Sequence, residues 1–419
     1  METALLALIV GLLLLLRQPI FVVLGVVGFY LYYFFDDGRP EYLVYDVWYS
    51  SNSEVLVSIP LFILAGAIMA KGSIAARLID IMKALTRPIP GGLALATILS
   101  CGVFAAIAGS SVVTMLAVGS IMYPALIQGG YRKDFALGAL AAGGTLGIVI
   151  PPSIPLILYG IATETSIADL FLAGFGPGAL LLALFSGYAI LVNLDRPRSR
   201  LDAGEIGTAL KRGAFALFMP ILILGGIYSG QFTPTEAAAV AVVYALLVET
   251  LIHREMGWRE ALDAVTETSA LLGGLFVVLA TALSLNVFMT YAEVPNQLVQ
   301  VIQANITDKW TFMIATNLLL LLVGCFMDIG SAILILAPLL TPVAESFGID
   351  KVHFGIVMIM NLEIGYLTPP LGLNIIVAMT AFREDFWRIC KAVLPFIGLM
   401  LVALATVILV PEIALFAVR

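Results

Sequence analysis

The chain has 419 residues, 61% of them hydrophobic and only 12% charged, with a net charge of −7 and a mean hydropathy of +1.07. That composition describes an integral membrane protein and leaves no soluble domain, since the longest polar stretch, Asp195 to Arg212, is too short to fold alone. The acidic balance is spread among loops and gives a nucleic acid nothing to bind.

The apolar start, Met1 to Leu16, has neither a basic n-region nor a small-residue cleavage pattern, and reads as a retained first span. Helices are expected near 3–16, 19–35 and 55–70, several of them short, since 16 residues make only about 24 Å against a hydrocarbon core of about 30 Å. From Ser73 to Leu85, Ile74, Leu78, Ile81 and Met82 recur on one face with Arg77, Asp80 and Lys83 elsewhere, the pattern of a helix lying in the interface. Further along, apolar segments cover 90–127, 135–160 and 170–193, then 213–228, 235–252 and 265–290, then 310–344, 354–381 and 393–416. A second arm-like connector runs from Val294 to Ile306, and a solvated linker is the alternative there.

Charge placement orients these segments, because Lys and Arg are retained on the cytoplasmic side. Basic loops occur at Lys71 to Arg87, Arg132 to Lys133, Arg196 to Arg212, His253 to Arg259 and Arg383 to Lys391. Acidic or neutral connectors occur at Asp36 to Ser53, Thr163 to Asp169, Tyr228 to Glu236 and Tyr291 to Asp308. The two basic loops flanking 90–127 belong on one side, so this segment is expected to be a re-entrant hairpin entering from the cytoplasm. Residues 310–344 are expected to form a second hairpin from the periplasmic side, with Lys309 and Lys351 as exceptions to the charge pattern.

Two apolar segments carry the same interruption, Gly147-Ile148-Val149-Ile150-Pro151-Pro152 and Gly365-Tyr366-Leu367-Thr368-Pro369-Pro370. A double proline breaks a helix where no water can repair it, and such breaks persist in a membrane where the freed backbone groups hold something. Interrupted helices at corresponding positions point to a substrate and ion site. The hairpin tips also correspond, Phe104 to Ser110 with Phe326 to Ser331, and each precedes its break by a similar interval, 38 residues from Gly109 to Gly147 and 35 from Gly330 to Gly365.

The expected fold is therefore an all-α polytopic membrane protein of two inverted-topology repeats, each with a re-entrant helical hairpin and a broken transmembrane helix. The first repeat covers 1–195, with its hairpin at 90–127 and broken helix at 135–160. A cytoplasmic connector covers 196–212. The second repeat covers 213–419, with its hairpin at 310–344 and broken helix at 354–381. Both termini are expected on the periplasmic side.

The tip Ala108 to Ser111, the run Gly144 to Ser153, the segment Gln231-Phe232-Thr233-Pro234-Thr235-Glu236-Ala237-Ala238 and the break Gly365 to Gly372 together resemble the large membrane subunit of tripartite ATP-independent periplasmic (TRAP) transporters, over essentially the whole chain. The resemblance implies sodium-driven import across a bacterial inner membrane of an organic anion, such as a C4-dicarboxylate, sialic acid or another sugar acid. It also implies an elevator-type motion, delivery by a periplasmic binding protein and a small four-helix membrane subunit, expected as a separate chain.

Sodium wants oxygen ligands, which unwound carbonyls and hydroxyls supply. The first sodium site is expected from Ser110 and Ser111 with the carbonyls of Gly147, Ile150 and Pro152, and the second from Gly330 and Ser331 with Gly365, Thr368 and Pro370. The family often has a small hydroxyl residue where this chain has Ala108, which leaves the first site short of that ligand. Close helix packing is the alternative reading of the same Gly and Ser residues.

An anion is expected between the tips, held by half-helix N-termini together with Ser111, Thr114, Thr145, Ser153 and Asn374, since no Lys or Arg lies within either hairpin core or the centre of either broken helix. Asn361 is a weaker candidate. Asp328 and Glu363 either balance a cation or serve as a cap and a buried hydrogen-bonding partner. Glu236 suits a cap after Thr233-Pro234. His253 and His353 lie at membrane edges, and no metal other than sodium and no cofactor is expected. Cys101, Cys325 and Cys390 read as buried thiols. An intramembrane enzyme would need a convergent nucleophile or metal set, and none is visible. A stand-alone sodium-coupled dicarboxylate transporter or exchanger of related two-hairpin fold is the other reading.

Overall fold

The computed structural model describes residues 2–16, 18–35, 39–198 and 200–418, and among these the chain is helical, with no strand. Met1, Arg17, Asp36, Asp37, Gly38, Ser199 and Arg419, which fall in segments delimited from the sequence, lie outside the described residues. Nine of the described helices are long and apolar enough to cross a bilayer.

The chain begins with α1 (Glu2–Leu15) and α2 (Ile20–Phe35). Their exposed Leu8, Leu12, Phe29 and Tyr33 form an apolar outer surface of the kind a bilayer covers. The connector after α2 contains a further helix, α3 (Glu41–Ser51), which apolar periodicity had not indicated. It is held by a hydrogen bond from the Tyr32 hydroxyl to Asp46 and by Ser284, which donates to the Leu43 carbonyl at 3.3 Å. Exposed Tyr45, Trp48 and Tyr49 suit it to the interfacial aromatic belt.

Helix α4 (Ser58–Lys71) leads into α5 (Ile74–Thr86), which buries the face formed by Ile74, Leu78, Ile81 and Met82. Beyond it lie the pair α6 (Gly92–Ala108) and α7 (Ser111–Gln128), then α8 (Lys133–Val149), α9 (Ile154–Ala162) and α10 (Ile167–Val192).

After α10, α11 (Ala203–Tyr228) starts ten residues before the expected position 213, because Asp202 caps it by accepting from the Gly204 and Glu205 amides at 2.9 and 3.2 Å. Much of the 196–212 connector is therefore helix. Next, α12 (Pro234–Leu247) begins with the expected capping box of Thr233 and Glu236, and ends in a π turn over Val248–Ile252.

That π turn carries the fully buried Glu249 to the start of α5, where its carboxylate accepts from the Ile74 amide at 2.8 Å and the Ser73 hydroxyl at 3.0 Å. The Ile74 amide, a donor that the helix start leaves unpaired, is thus satisfied by a residue 175 positions away. Gly72 is required beside it, since a Cβ there would stand 2.3 Å from the Glu249 carboxyl carbon.

Helix α13 (Trp258–Tyr291) has 34 residues, about 51 Å at 1.5 Å per residue, and outruns the bilayer. α14 (Val294–Asn305) then meets α15 (Lys309–Gly324) at a bend of 118°. The pair α15 and α16 (Ile329–Ser346) is followed by α17 (Lys351–Tyr366), α18 (Leu373–Phe382) and α19 (Phe386–Leu409). The helix expected over 393–416 is two: α19 ends before Pro411, and α20 (Glu412–Leu415) turns back against α10 and α17. Its approach is close, for a Cβ on Gly176 would fall 1.8 Å from the Ile413 carbonyl oxygen.

The core sits at α8 and α17, where every residue from Phe135 to Val149 and from Val352 to Tyr366 is buried. Small residues let the neighbours approach: a Cβ on Gly138 would lie 2.2 Å from the Ala392 carbonyl oxygen, and one on Gly144 2.9 Å from that of Ser111.

Replacing Glu249 by Ala strands the Ile74 amide in a dry setting and is expected to cost about 1–3 kcal/mol. Glu249→Gln keeps an acceptor and should cost less. Thermal unfolding of the purified protein in detergent should rank the apparent midpoints wild type, Gln, Ala, and equal midpoints would show that the contact does not anchor α5.

Candidate functional site

The chain leaves α6 through Gly109, in the left-handed region at φ +60°, and enters α7 through Ser110 in extended backbone. This tip sits on the first break, Ile150 to Ser153. The Ile154 amide, at the start of α9, donates to the Gly109 carbonyl at 3.2 Å. A Cβ on Gly109 would meet the Pro152 carbonyl oxygen at 2.9 Å, and one on Gly147 would meet the Ser110 carbonyl oxygen and the Thr114 hydroxyl at 2.6 Å each. Ser110, Gly147 and Pro152 are thereby brought together, with Ile150 buried beside them. Ala108 backs onto α4, where Gly66 leaves room for its backbone.

The second tip is built differently. Asp328 is the N-cap of α16, accepting from the Ser331 amide at 2.8 Å and the Ser331 hydroxyl at 2.6 Å. Gly330 and Ser331 consequently lie inside the first turn of α16, so the tip residue corresponding by its cap position to Ser110 is Asp328. The contact with Gly365 comes from Gly324, whose carbonyl carbon would stand 2.4 Å from a Gly365 Cβ. Tyr366 completes the joint by accepting from the Ile329 amide at 2.9 Å.

The breaks also differ in exposure. Pro151, Pro152 and Ser153 are buried, whereas Thr368 and Pro369 are half-buried and Pro370 is exposed. A cavity of about 120 Å³ opens there, between Gly324 to Asp328 and Leu371 to Ile376. The Thr368 hydroxyl donates to the Ile364 carbonyl at 2.8 Å.

The polar side chains separate into engaged and unengaged groups. Thr145 donates to the Ala142 carbonyl at 2.6 Å, and Ser153 caps α9 by accepting from the Leu156 amide at 3.5 Å. Asn361 donates to Asn317. Asn374, at the start of α18, donates to the Ser111 hydroxyl at 2.5 Å and so joins residues 263 positions apart. The same hydroxyl also lies against the buried Glu363 carboxylate. Thr114 Oγ1, Asn374 Oδ1 and both Glu363 carboxylate oxygens are buried without partners.

At the open end of α8, Glu384 receives Lys133 at 2.5 Å and the Tyr123 hydroxyl at 2.8 Å, while Arg388 pairs with Asp134 at 2.8 Å. Burial raises the Glu384 carboxyl, but the bonds from Lys133 and Tyr123 outweigh it and leave its pKa lowered. These contacts tie the α18–α19 turn to α7 and α8. A cavity of about 880 Å³ lies away from both tips, between α5 and α11, and its Arg77 is engaged by Glu255 at 2.6 Å.

The family described as Tripartite ATP-independent periplasmic transporter, DctM component, matches residues 6–413. The chain is 38% identical over 395 residues to the C4-dicarboxylate TRAP transporter large permease protein DctM of Pseudomonas aeruginosa, covering 94% of this chain and 92% of that one. It is 34% identical over 422 residues to the ectoine TRAP transporter large permease protein TeaC of Halomonas elongata, covering 99% and 98%. The isethionate TRAP transporter permease protein DctMQ of Oleidesulfovibrio alaskensis is 38% identical over 380 residues, which are 90% of this chain and 60% of that protein. Among solved structures, the Alcanivorax borkumensis YdaH transporter matches with a TM-score of 0.65 over 87% of this chain and 86% of that one, at 16% identity, a likeness of fold alone. The chain belongs to the tripartite ATP-independent periplasmic transporter family, as its DctM component, the large permease.

Proposed function

We propose that this large permease couples sodium entry to import of a small organic anion delivered by a periplasmic binding protein, with a small four-helix membrane subunit as partner. The observation that carries this reading is the docking of each hairpin tip onto a proline-interrupted helix, which gathers backbone oxygens inside the membrane. The two hairpin and broken-helix units are read as inverted repeats, 1–195 and 213–419, with α5 and α14 as arms. The sharp α14–α15 bend and the amphipathic face of α5 suit an elevator in which the tips and broken helices move as one carrier.

Ser110 and the carbonyls at Gly147, Ile150 and Pro152 are proposed to hold one sodium, with Ser111 beside them, and Gly365, Thr368 and Pro370 a second. Gly330 and Ser331 contribute to that second position through the first turn of α16. Relatives are named for C4-dicarboxylates, ectoine and isethionate, so the family fold does not fix one solute. Two monovalent cations entering with a singly charged anion carry net charge inward, each gaining about 2.3 kcal/mol per 100 mV.

Orientation is tested by cysteine labelling in intact cells. A cysteine at Thr163 should react from outside and one at Gly204 only after permeabilisation, and labelling of Gly204→Cys from outside would defeat the inverted arrangement.

Sodium ligation is tested by Ser110→Ala and Thr368→Ala, each expected to raise the sodium concentration for half-maximal uptake with assembly intact. Unchanged sodium dependence in both would return these residues to packing.

Partner dependence is the deciding experiment. Vesicles should accumulate solute only with the small subunit, an inward sodium gradient and loaded binding protein together. Robust sodium-driven uptake of free solute by this chain alone would instead establish a stand-alone transporter.

A further inference from the structure

The cavity of about 880 Å³ between α5 and α11 takes no part in the sites described above. Its volume falls in the range of small-molecule sites, about 300–1,000 Å³. The apolar run of α11 begins at Gly213, and the stretch of helix before it carries Glu205, Lys211 and Arg212, which extend it past the hydrocarbon into the polar layer, about 6 Å deep on each side of a bilayer. The cavity therefore lies at headgroup depth. Gly213 marks where the two helices cross, since a Cβ there would stand 2.4 Å from Ile81 Cδ1, and the cavity opens on the N-terminal side of that crossing. Its other wall is the polar face of α5, where Arg77, Asp80 and Lys83 recur at every third position while Leu78, Ile81 and Met82 are buried.

Some of the charged groups lining the cavity are already matched. Arg77 donates to Glu255 at 2.6 Å and to the Arg212 carbonyl at 3.2 Å, Glu205 pairs with Arg87, and Asp202 caps α11. Others are not: among the described residues, the side chains of Lys83, Arg212 and Asp80 have neither an ion pair nor a hydrogen bond. Two positive groups and one negative group are thus left over.

That remainder is selective. A phosphate suits Lys83 and Arg212, because ammonium and guanidinium groups give its oxygens charge-assisted hydrogen bonds, and charged pockets of this kind between transmembrane helices hold lipid headgroups. A headgroup with negative charge alone would also meet Asp80, with Asp202, Glu205 and Glu255 around it, and like charges repel. A primary ammonium converts Asp80 into a partner, since it has N–H donors to give a carboxylate. A quaternary ammonium has none.

We infer that the cavity between α5 and α11 is a binding site for the headgroup of a phospholipid bearing a phosphate and a primary ammonium, with Lys83 and Arg212 on the phosphate and Asp80 on the ammonium. The depth of the cavity favours a lipid over soluble phosphoethanolamine. So do Phe215 and Phe218, exposed on α11 just past Arg212, which offer acyl chains a surface. A headgroup seated there braces α5 against α11. The inference is independent of sodium coupling and of the solute carried.

The test is native mass spectrometry of the full chain, delipidated in detergent and offered equimolar phosphatidylethanolamine, phosphatidylcholine and phosphatidylglycerol with the same acyl chains. Wild type should retain the ethanolamine lipid about fivefold over each of the others, the worth of one exposed charge pair. Asp80→Asn should lose the preference over the choline lipid, and Lys83→Gln combined with Arg212→Gln should lower retention of the ethanolamine lipid by about fivefold or more. Equal retention of the three lipids by wild type, or a preference that survives both sets of substitutions, overturns the inference. Soluble phosphoethanolamine separates the sources: if it raises the thermal midpoint in an Asp80-dependent way while the lipid does not, the lipid assignment is overturned. All three side chains reach solvent, and thermal midpoints matching wild type in lipid-free detergent establish that the variants fold. Should the double variant not fold, Lys83→Gln alone is read in the same way.

Discussion

Backbone groups freed by a break inside a membrane have no water to turn to, and the placement of both hairpins follows from that constraint. At the first break the Ile154 amide finds its acceptor in the Gly109 carbonyl of the hairpin tip. At the second, the Ile329 amide of the hairpin finds the Tyr366 hydroxyl of the broken helix. Each hairpin thus depends on its break and each break on its hairpin. Glycine at Gly109, Gly147, Gly324 and Gly365 brings the backbones close enough for carbonyl oxygens to converge. The same closeness that satisfies the fold leaves a polar spot at each joint.

The two joints are unequal, and the inequality has functional content. The first is sealed, with its prolines buried, and next to it Ser111 accepts a hydrogen bond from Asn374. The second is partly open at Pro370 and borders a small cavity under Asp328. On the proposed transport reading, this difference suits a carrier that admits solute from one side at a time. Ion pairs such as Lys133 with Glu384 and Arg388 with Asp134 sit at the end of α8, away from the breaks, while the tips and breaks carry hydroxyls, amides and the acids Asp328 and Glu363.

Much of this was legible in the sequence because proline and glycine act locally. The Gly-x-x-x-Pro-Pro interruptions marked the ends of α8 and α17, and the Thr233 to Glu236 cap marked the start of α12. Long-range side-chain choices were not legible. Nothing adjacent to Glu249 announced that a π turn would carry it to Ile74, and nothing near Asn374 pointed to Ser111. Aligning Gly330 with Gly109 by residue type misplaced the second tip, because Asp328 rather than a glycine sets where α16 begins. The aromatic and charged mixture of α3 has no apolar run, so it read as a connector, and the chain reversal at Pro411 hid within an otherwise apolar tail.

The central claim is that the two hairpin joints are cation sites and not merely tight packing. Cryo-electron microscopy of the chain with its partner subunit, in sodium and then in choline, tests it most directly. Discrete density among the oxygens of Ser110, Gly147 and Pro152, and again beside Gly365 and Thr368, present in sodium and lost in choline, is the predicted result. Closed, well-ordered joints with no such density in sodium would contradict it.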